Sequence, residues 1–215
     1  HTAESLGLEP IPSPFNPGAA RTLLASDKVR HVGEPVAVVI AETWQQAADA
    51  AEMVFVEVDF LPTLVDMEEA LTSDTLLYEA AGSNGVFDTT ALGIPENSPT
   101  DDYFAGCEVV ISGRFMNQRV APCPLEVRAS AATWDNGRLV QWISSQGAQG
   151  AKAAFVAANG VDAAAVHLIT PDVGGGFGLK AQPWREEVGA IAASLLLRRP
   201  VKWIEDRFEA LTASS

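Results

Sequence analysis

The feature that most constrains this chain is a glycine-rich run at residues 173–180, with the sequence VGGGFGLK. It lies between a short apolar segment at 166–169 and a helical pattern that begins near Trp184. Glycine has no Cβ, so the backbone can adopt positive φ and come close to a ligand. Successive N–H groups in such a loop can also converge on an anion. The residues alone leave two interpretations equally open, a tight turn and a ligand-binding loop.

Two familiar phosphate-binding patterns fit this run poorly. Read from Gly174, the dinucleotide fingerprint fails because Leu179 stands at its third glycine position. Read from Gly176, the fingerprint gives only the weaker variant that ends in Ala181. The P-loop pattern fails because Leu179, and not glycine, precedes Lys180. A standard phosphate loop is therefore not predicted here.

Composition and charge exclude several classes of function. The 215 residues are 47% hydrophobic, which is typical of a folded protein with one large domain or two small ones. A net charge of −14 opposes a phosphate backbone, so nucleic acid is not predicted as a partner. No apolar run approaches the roughly 18 residues that cross a membrane. Cys107 and Cys123 have no histidines at metal-ligand spacing and are interpreted as reduced thiols.

The first part of the chain predicts a strand–helix–strand unit. The apolar, β-branched run at 36–41 is typical of a buried strand. Thr43 and Gln46 then form a capping-box pattern, which indicates the start of a helix. The run at 54–60 predicts the second strand.

A linker is predicted at residues 81–102, which are rich in glycine, proline, asparagine and aspartate. It separates a domain at 1–80 from a domain at 103–215. In the second domain, a turn at 135–137 (Asp-Asn-Gly) indicates a β-hairpin. The predicted strands are 107–115, 127–134, 139–144, 166–169 and 201–204, and the predicted helices are 149–158 and one from about Trp184 to Pro200. The mixture predicts an α+β fold.

Two further segments are candidate sites. The segment 117–128 places Glu126 and Arg128 on one face of a predicted strand, with the entry of an edge strand as the alternative interpretation. The segment 144–150 precedes a helix, whose free N–H groups favour an anion or a polar ligand atom. Gln146 adds a side-chain donor there, and ordinary capping by a serine is the alternative.

The other titratable residues are weaker candidates. His31 and His167 are interpreted as structural or surface residues, because no nucleophile or carboxylate accompanies them at catalytic spacing. Glu186 and Glu187 open a predicted helix, where the helix dipole favours negative charge. They are interpreted as a solvated pair.

Four motifs follow one another in an order that resembles a known family. They are 117–128 (NQRVAPCPLEVR), 144–147 (SSQG), 171–178 (PDVGGGFG) and 203–207 (WIEDR). The chain resembles the large subunits of the molybdenum hydroxylases, the xanthine dehydrogenase and aldehyde oxidase family, and is most similar to the carbon monoxide dehydrogenase large-subunit type. The run at 29–42 resembles that family's α/β hammerhead domain. The implied fold is α+β, with a partial hammerhead domain followed by the first part of a molybdenum-cofactor-binding domain.

The resemblance implies a molybdopterin cofactor with molybdenum, in the cytosine dinucleotide form for a bacterial protein. The implied reaction inserts oxygen from water into a small substrate and passes two electrons to the metal. In the family, the glycine loop approaches the cofactor through backbone N–H groups, which correspond here to Gly175, Gly176, Phe177 and Gly178. A family glutamine beside the molybdenum corresponds to Gln146. None of these residues is expected to ligate the metal directly through its side chain.

The chain also departs from the family, whose large subunit is several times longer. We therefore expect a fragment that is inactive alone, with the catalytic glutamate beyond residue 215. The implied partners are the rest of the large subunit, an iron–sulfur subunit and an FAD subunit, in a cytoplasmic complex that dimerises. Carbon monoxide, an aldehyde and an N-heterocycle all stay open as substrates. The alternative function is a non-catalytic module that binds a ligand or a partner through the glycine loop.

Overall fold

The computed structural model describes residues 1–7, 10–11, 13, 15–85 and 103–213. They belong to two compact units. The large unit comprises His1–Ile11, Arg21–Phe60 and Val120–Ser215, and the small unit comprises Pro12–Ala20 and Leu61–Arg119. Because residues 86–102 lie outside the described residues, the linker at 81–102 and the domains on either side of it stay predictions.

Helices and strands alternate irregularly along the described residues, which confirms the predicted α+β class. The strands are β1 Ala129–Asp135, β2 Arg138–Ile143, β3 Val166–Ile169 and β4 Val201–Ile204. The helices are α1 Ala3–Leu6, α2 Trp44–Glu52, α3 Met67–Thr72, α4 Ala148–Asn159, α5 Arg185–Leu197 and α6 Arg207–Thr212. Short 3-10 turns occur at Pro17–Ala19, Glu79–Ala81 and Ala163–Ala165. None of the helices in the described ranges is long and apolar enough to cross a membrane.

The large unit is built on a four-stranded sheet with the strand order β3-β2-β1-β4. β1 and β2 form the predicted hairpin, in which Asp135 pairs with Arg138. Its two turn residues, Asn136 and Gly137, have φ of 49° and 77°, as a tight hairpin turn requires. β1 pairs antiparallel with β4, and β2 pairs parallel with β3.

This topology brings several chain segments together at one end of the sheet, here termed its edge. The parallel strands β2 and β3 both end at that edge, so the loops that follow them are neighbours. β1 begins there, since Ser130 near its start pairs with Ile143 at the end of β2. β4 ends there, since Ala129 pairs with Ile204. The edge therefore collects the segments before β1 and after β2, β3 and β4.

The core of the large unit lies between one face of the sheet and the helices α4 and α5. Its buried apolar side chains interlock across this interface, and Phe155 of α4, Ile191 of α5 and Leu139 of β2 are fully buried. Burying a side chain of this size stabilises the fold by about 1.5–3 kcal/mol relative to leaving it in water. The packed core therefore supports the sheet whose edge carries these segments.

The small unit is held by local capping and by one amide side chain. Asp66 caps α3 by accepting the N–H groups of Glu68 and Glu69. Asn84 Nδ2 donates to the carbonyls of Ala70 and Thr75 at 3.0 and 2.8 Å. These contacts close the chain around α3.

Most of the predicted local elements are confirmed. The helix start at Thr43 is capped as predicted, with the Thr43 hydroxyl accepting the N–H of Gln46 and the Gln46 side chain accepting the N–H of Thr43. α4 ends at Gly160, whose φ of 60° is left-handed. β3 and β4 have their predicted bounds, and both cysteines are free and exposed.

Three predicted strands are wrong. No strand forms at 36–41, 54–60 or 107–115, because among the described residues none of these segments pairs with a neighbouring strand. Val38 exchanges two hydrogen bonds with His1, at 3.0 and 2.9 Å, but this pairing does not extend. The run at 54–60 is exposed, including Phe60 at 96%. The predicted strand–helix–strand unit is therefore reduced to α2.

Candidate functional site

The three candidate segments of the sequence meet at the end of the sheet where β2 and β3 end and β1 begins. Residues 144–147 follow β2, residues 173–180 follow β3, and residues 126–128 precede β1. Hydrogen bonds join all three. The Glu126 N–H donates to the carbonyl of Gly174 at 3.2 Å, and the Gln146 N–H donates to the carbonyl of Lys180 at 2.9 Å. Each of these segments is polar, and together they form the candidate site.

The glycine loop at 173–180 has a strained backbone that only some residues accept. Gly175 and Gly178 have φ of 99° and 93°, which an L side chain rarely adopts. Phe177 also has a positive φ of 52°, and its side chain is 75% exposed. A non-glycine residue in this region is uncommon and is found where the surroundings hold it in place, often at functional sites.

Gln146 lies directly against this loop. Its Oε1 accepts hydrogen bonds from the N–H groups of Gly178 and Lys180, at 3.0 and 3.2 Å. A Cβ added to Gly176 would lie 2.5 Å from Cδ and 2.7 Å from Cγ of Gln146, so any larger residue there would displace the Gln146 side chain. The sequence named Gln146 and the loop separately, and the structure places them in contact.

Serine capping, the alternative interpretation of residues 144–150, does not describe this segment. The residue that caps α4 is Gly147, and among the described residues no side chain accepts a hydrogen bond from the first turn. Ser145 Oγ instead accepts the N–H of Gly147 itself, at 3.1 Å. The first turn of α4 is left without a side-chain cap, beside Gln146.

Several donors of the candidate site point to no protein acceptor. In the part of the chain that the structure describes, the N–H groups of Gly175, Gly176 and Phe177 make no hydrogen bond, and neither does Nε2 of Gln146. Gly176 is buried, and its neighbours are half-buried or exposed. The N–H of Gly178, predicted as a donor for a ligand, is already bound to Gln146. Between Gly174 and Gly178 and at Gln146, the open donors are thus three successive backbone N–H groups and one side-chain amide.

An ion pair of the buried Lys180 with the half-buried Glu126 lies against the loop. Lys180 is only 2% exposed, and its Nζ donates to Oε2 of Glu126 at 2.7 Å. The same carboxylate oxygen accepts from Gly174 N at 2.8 Å and Ser144 Oγ at 2.5 Å. Burial alone would raise the pKa of Glu126, but these hydrogen bonds outweigh it and hold the pKa below its ordinary value. Sequence reasoning missed this pair, because Lys180 served only to test the P-loop pattern.

Arg128, two residues further on, belongs to a second buried cluster. Its guanidinium donates to Oε1 of Glu205 at 2.9 and 2.5 Å and to Oε2 of Glu186 at 3.2 Å. It lies over the Trp184 and Trp203 rings, 4.3 and 5.3 Å from their centroids. This arrangement joins the start of β1, the end of β4 and the start of α5.

The prediction that Glu126 and Arg128 share one face of a strand is wrong. β1 begins at Ala129, so both residues lie in the segment before it. Their side chains have separate partners, with Glu126 bound to Lys180 and Arg128 bound to Glu205. Only Glu126 contacts the glycine loop.

The interpretation of Glu186 and Glu187 as a solvated pair is also wrong. Glu187 is 3% exposed, and its carboxylate accepts the N–H of Trp184 at 3.0 Å, at the start of α5. Glu186 is half-buried against Arg128. Burial raises the pKa of Glu187 from its ordinary 4.5 to about 7, although the Trp184 N–H and the charge of Arg128 oppose this. A sequence gives the position of a charge on a helix but not what packs over it.

Glu187 therefore gives the fold a pH dependence. Between pH 4.5 and 7, the folded state binds a proton at Glu187 that the unfolded state does not. The free energy of unfolding is therefore highest, as far as Glu187 is concerned, below pH 4.5, and it falls as the pH rises through 7. The total fall is about 3 kcal/mol if the pKa shift of Glu187 is fully expressed. We expect Glu187→Gln to remove this fall, since glutamine can still accept the Trp184 N–H. Urea unfolding of both proteins from pH 4.5 to 8 measures it.

The matched control is Glu52→Gln, at an exposed position at the end of α2. Its curve of unfolding free energy against pH should run parallel to that of the wild type. Parallel curves for the wild type and Glu187→Gln would show that Glu187 titrates normally in the folded state.

The histidines lie away from the candidate site. His31 is exposed, and His167 is an exposed residue of β3 with its Nδ1 3.2 Å from Arg138 Nη2. Both are surface residues, one of the two predicted roles. Within the described ranges, no group of three or more histidine, cysteine, aspartate or glutamate side chains could hold a metal ion.

Comparison with known protein families decides what the arrangement belongs to. The family described as "Molybdopterin cofactor-binding domain" matches residues 83–215, which include the whole candidate site. The chain belongs to this family. A second family, described as "Aldehyde oxidase and xanthine dehydrogenase, a/b hammerhead domain", matches residues 7–62. The resemblance stated from the motifs is confirmed.

Related proteins are long subunits of which this chain matches one part. The carbon monoxide dehydrogenase large chain of Hydrogenophaga pseudoflava is 35% identical over 210 residues, covering 92% of this chain and 26% of the relative. The nicotine 6-hydroxylase large subunit of Paenarthrobacter nicotinovorans is 36% identical over 196 residues, covering 90% and 23%. The chain thus spans about a quarter of the length of the relatives it matches.

Solved structures agree with this fold. The CO dehydrogenase of Oligotropha carboxidovorans matches with a TM-score of 0.79 and 31% identity, over 97% of this chain and 28% of that one. The quinoline 2-oxidoreductase of Pseudomonas putida 86 matches with a TM-score of 0.79 and 28% identity, over 98% and 27%. The molybdopterin-family fold of this chain is therefore shared by proteins with different named substrates.

Proposed function

We propose that this chain forms one wall of the molybdopterin site in the molybdenum-containing subunit of an oxidoreductase. The observation that carries the proposal is the open donor set at Gly175, Gly176 and Phe177, with the amide of Gln146 beside it. The membership of residues 83–215 in the molybdopterin cofactor-binding family supports it.

The chemistry of the donor set fits this cofactor. Molybdopterin and its metal carry oxygen atoms and negative charge, and such atoms accept hydrogen bonds from N–H donors. Gly176 has no Cβ to hold a ligand away, and its neighbour Gln146 supplies Nε2 as a further donor. The carboxylate of Glu126, which would repel an anion, is bound to Lys180. We therefore assign Gln146, Gly175, Gly176 and Phe177 to the cofactor contact as donors, and Gly178 to it as the residue that holds Gln146 in place.

These residues would act by position. Gly176 and Phe177 would donate their N–H groups to cofactor oxygens, and Gln146 would donate Nε2, from a loop already fixed before binding. Donors that need no rearrangement stabilise developing charge more than mobile ones do. When bound, the molybdenum cofactor supplies an acceptor for two electrons, while oxygen from water enters the substrate. We assign no acid–base step to this chain, and place the catalytic glutamate in the rest of the subunit.

The remaining assignments extend the proposal to the whole protein. The cofactor is the cytosine dinucleotide form, and the substrate is carbon monoxide, an aldehyde or an N-heterocycle. Relatives named for carbon monoxide, nicotine and quinoline are compatible with that range. The partners are the rest of the large subunit, an iron–sulfur subunit and an FAD subunit in a dimeric cytoplasmic complex. The domains are a partial hammerhead at 1–80 and a cofactor-binding part at 103–215.

Metal and cofactor analysis of the full-length protein tests this function. We expect about one molybdenum atom per chain and a pterin that is released on denaturation, with a cytidine nucleotide after hydrolysis. A full-length protein that carries no molybdenum after expression with a cofactor supply would overturn the enzyme function. A ligand bound through the loop without molybdenum would instead support the non-catalytic module.

A further inference from the structure

Lys180 connects two parts of the candidate site through different atoms. Its side chain is fully buried, and Nζ donates to both the carbonyl and Oε2 of Glu126, at 2.9 and 2.7 Å. Its backbone holds Gln146, because Lys180 N donates to Oε1 of Gln146 and Lys180 O accepts from the Gln146 N–H. A single residue thus joins the segment before β1 to the segment after β2.

Glu126 holds the opposite end of the glycine loop. Its carboxylate accepts from Gly174 N, and its own N–H donates to Gly174 O. The loop is therefore bound at Gly174 by Glu126, and at Gly178 and Lys180 by Gln146. The open donors at 175–177 lie between these two anchors. The ion pair of Lys180 with Glu126 links these two anchors to each other.

Stability alone does not require this ion pair. Burying the Lys180 ammonium costs hydration that the attraction of the part-exposed Glu126 carboxylate must offset, and apolar side chains of similar volume often stabilise a fold equally well. An ion pair with fixed partners does restrict the geometry of the segments that carry it, which an apolar contact does less well. The lowered pKa of Glu126 agrees with a carboxylate that stays charged and bound.

We propose that Lys180 is a positioning residue, which holds Gln146 through its backbone and Gly174 through Glu126, and so fixes the open N–H groups of residues 175–177 for the cofactor. We place the Lys180 side chain outside the cofactor contact, because it is fully buried and its Nζ is bound to Glu126. The proposal rests on the proposed function for its ligand, while the ordering of the loop is a property of the polypeptide itself.

The test is Lys180→Met in the full-length protein, with two measurements. Hydrogen exchange with cofactor-free protein should be roughly tenfold faster at the bonded N–H groups of Gly174, Gly178 and Lys180, because losing an anchor favours local opening, and unchanged in α4. Molybdenum content at limiting cofactor should fall by a similar factor. Glu126→Gln should give the same result, and the double variant should be no worse than either single one. If Lys180→Met does not fold, the single variant Glu126→Gln provides the test.

The matched control is Lys152→Met, which makes the same chemical change at a half-buried lysine of α4. Lys152 Nζ donates at 2.9 Å to the carbonyl of Val166, which lies in β3 and outside the loop. It should change neither loop exchange nor molybdenum content. Unchanged loop exchange and molybdenum content in both Lys180→Met and Glu126→Gln would overturn the positioning role.

The two measurements separate this inference from the proposed function. If the wild-type protein holds no molybdenum, the proposed function fails, and the exchange measurement still decides whether Lys180 orders the loop. If the wild type holds molybdenum and exchange in the variants does not change, the positioning role alone fails.

Discussion

Replacing Gly176 with valine is expected to remove most of the molybdenum from the full-length protein. The new Cβ would lie 2.5 Å from Cδ of Gln146, so this side chain must leave its place. Gln146 would lose its bonds with Gly178 and Lys180, each worth about 1 kcal/mol, and overpacking typically adds about 1–3 kcal/mol. If the whole loss falls on binding, cofactor affinity should drop by roughly two to four orders of magnitude. Metal analysis of the purified variant measures the loss.

Gly189→Ala is the matched control for this variant. Gly189 lies in α5, and a Cβ there meets the Leu23 side chain at an ordinary contact distance of 3.7 Å. Alanine should keep the full molybdenum content and stabilise the helix by about 0.5–1 kcal/mol. Full occupancy in Gly176→Val would show that the contact of the loop with Gln146 is not needed for cofactor binding.

Replacing Arg128 with methionine is expected to destabilise the fold by about 3–5 kcal/mol, the usual cost of removing one partner from a buried ion pair. The change leaves the carboxylate of Glu205, which is also fully buried, without its counterion. It also removes the cation from between Trp184 and Trp203. Urea unfolding measures the loss.

Arg199→Met is the control for this second prediction. Arg199 lies 3.9 Å from Glu42, and both side chains are well exposed. Exposed pairs contribute little, so the free energy of unfolding should change by less than about 1 kcal/mol. A similar loss in both variants would mean that the burial of Arg128 has no special effect on stability.

The elements that sequence reasoning predicted well are those whose signals are local. The capping box at Thr43, the Asn136-Gly137 turn and the left-handed Gly160 each depend on a few adjacent residues. Such signals act through backbone conformation and short-range hydrogen bonds, which the sequence displays directly.

The wrong predictions all concern distant neighbours. The run at 54–60 has the composition of a strand, but a strand also needs a partner, and composition does not provide one. Glu187 was interpreted as solvated because its position at the start of α5 is visible in the sequence, whereas its burial is not. Lys180 was overlooked for the same reason, since its partner Glu126 is 54 residues away.

The candidate site was partly predictable, because its motifs lie in the order typical of the family. Gln146 and the run at 173–180 were both named from the sequence, on the strength of that order. Their contact, and the commitment of the Gly178 N–H to Gln146, follow from the parallel pairing of β2 with β3. The sequence does not specify which of the loop's donors stay open.

A structure of the full-length, molybdenum-loaded protein tests the central claim most directly. We expect the N–H groups of Gly176 and Phe177 and Nε2 of Gln146 to lie about 3 Å from oxygen atoms of the cofactor, the distance of a hydrogen bond. Gln146 Oε1 should keep its contacts with Gly178 and Lys180. A cofactor bound elsewhere, with residues 173–180 contacting only protein, would contradict the assignment of this loop as the wall of the site.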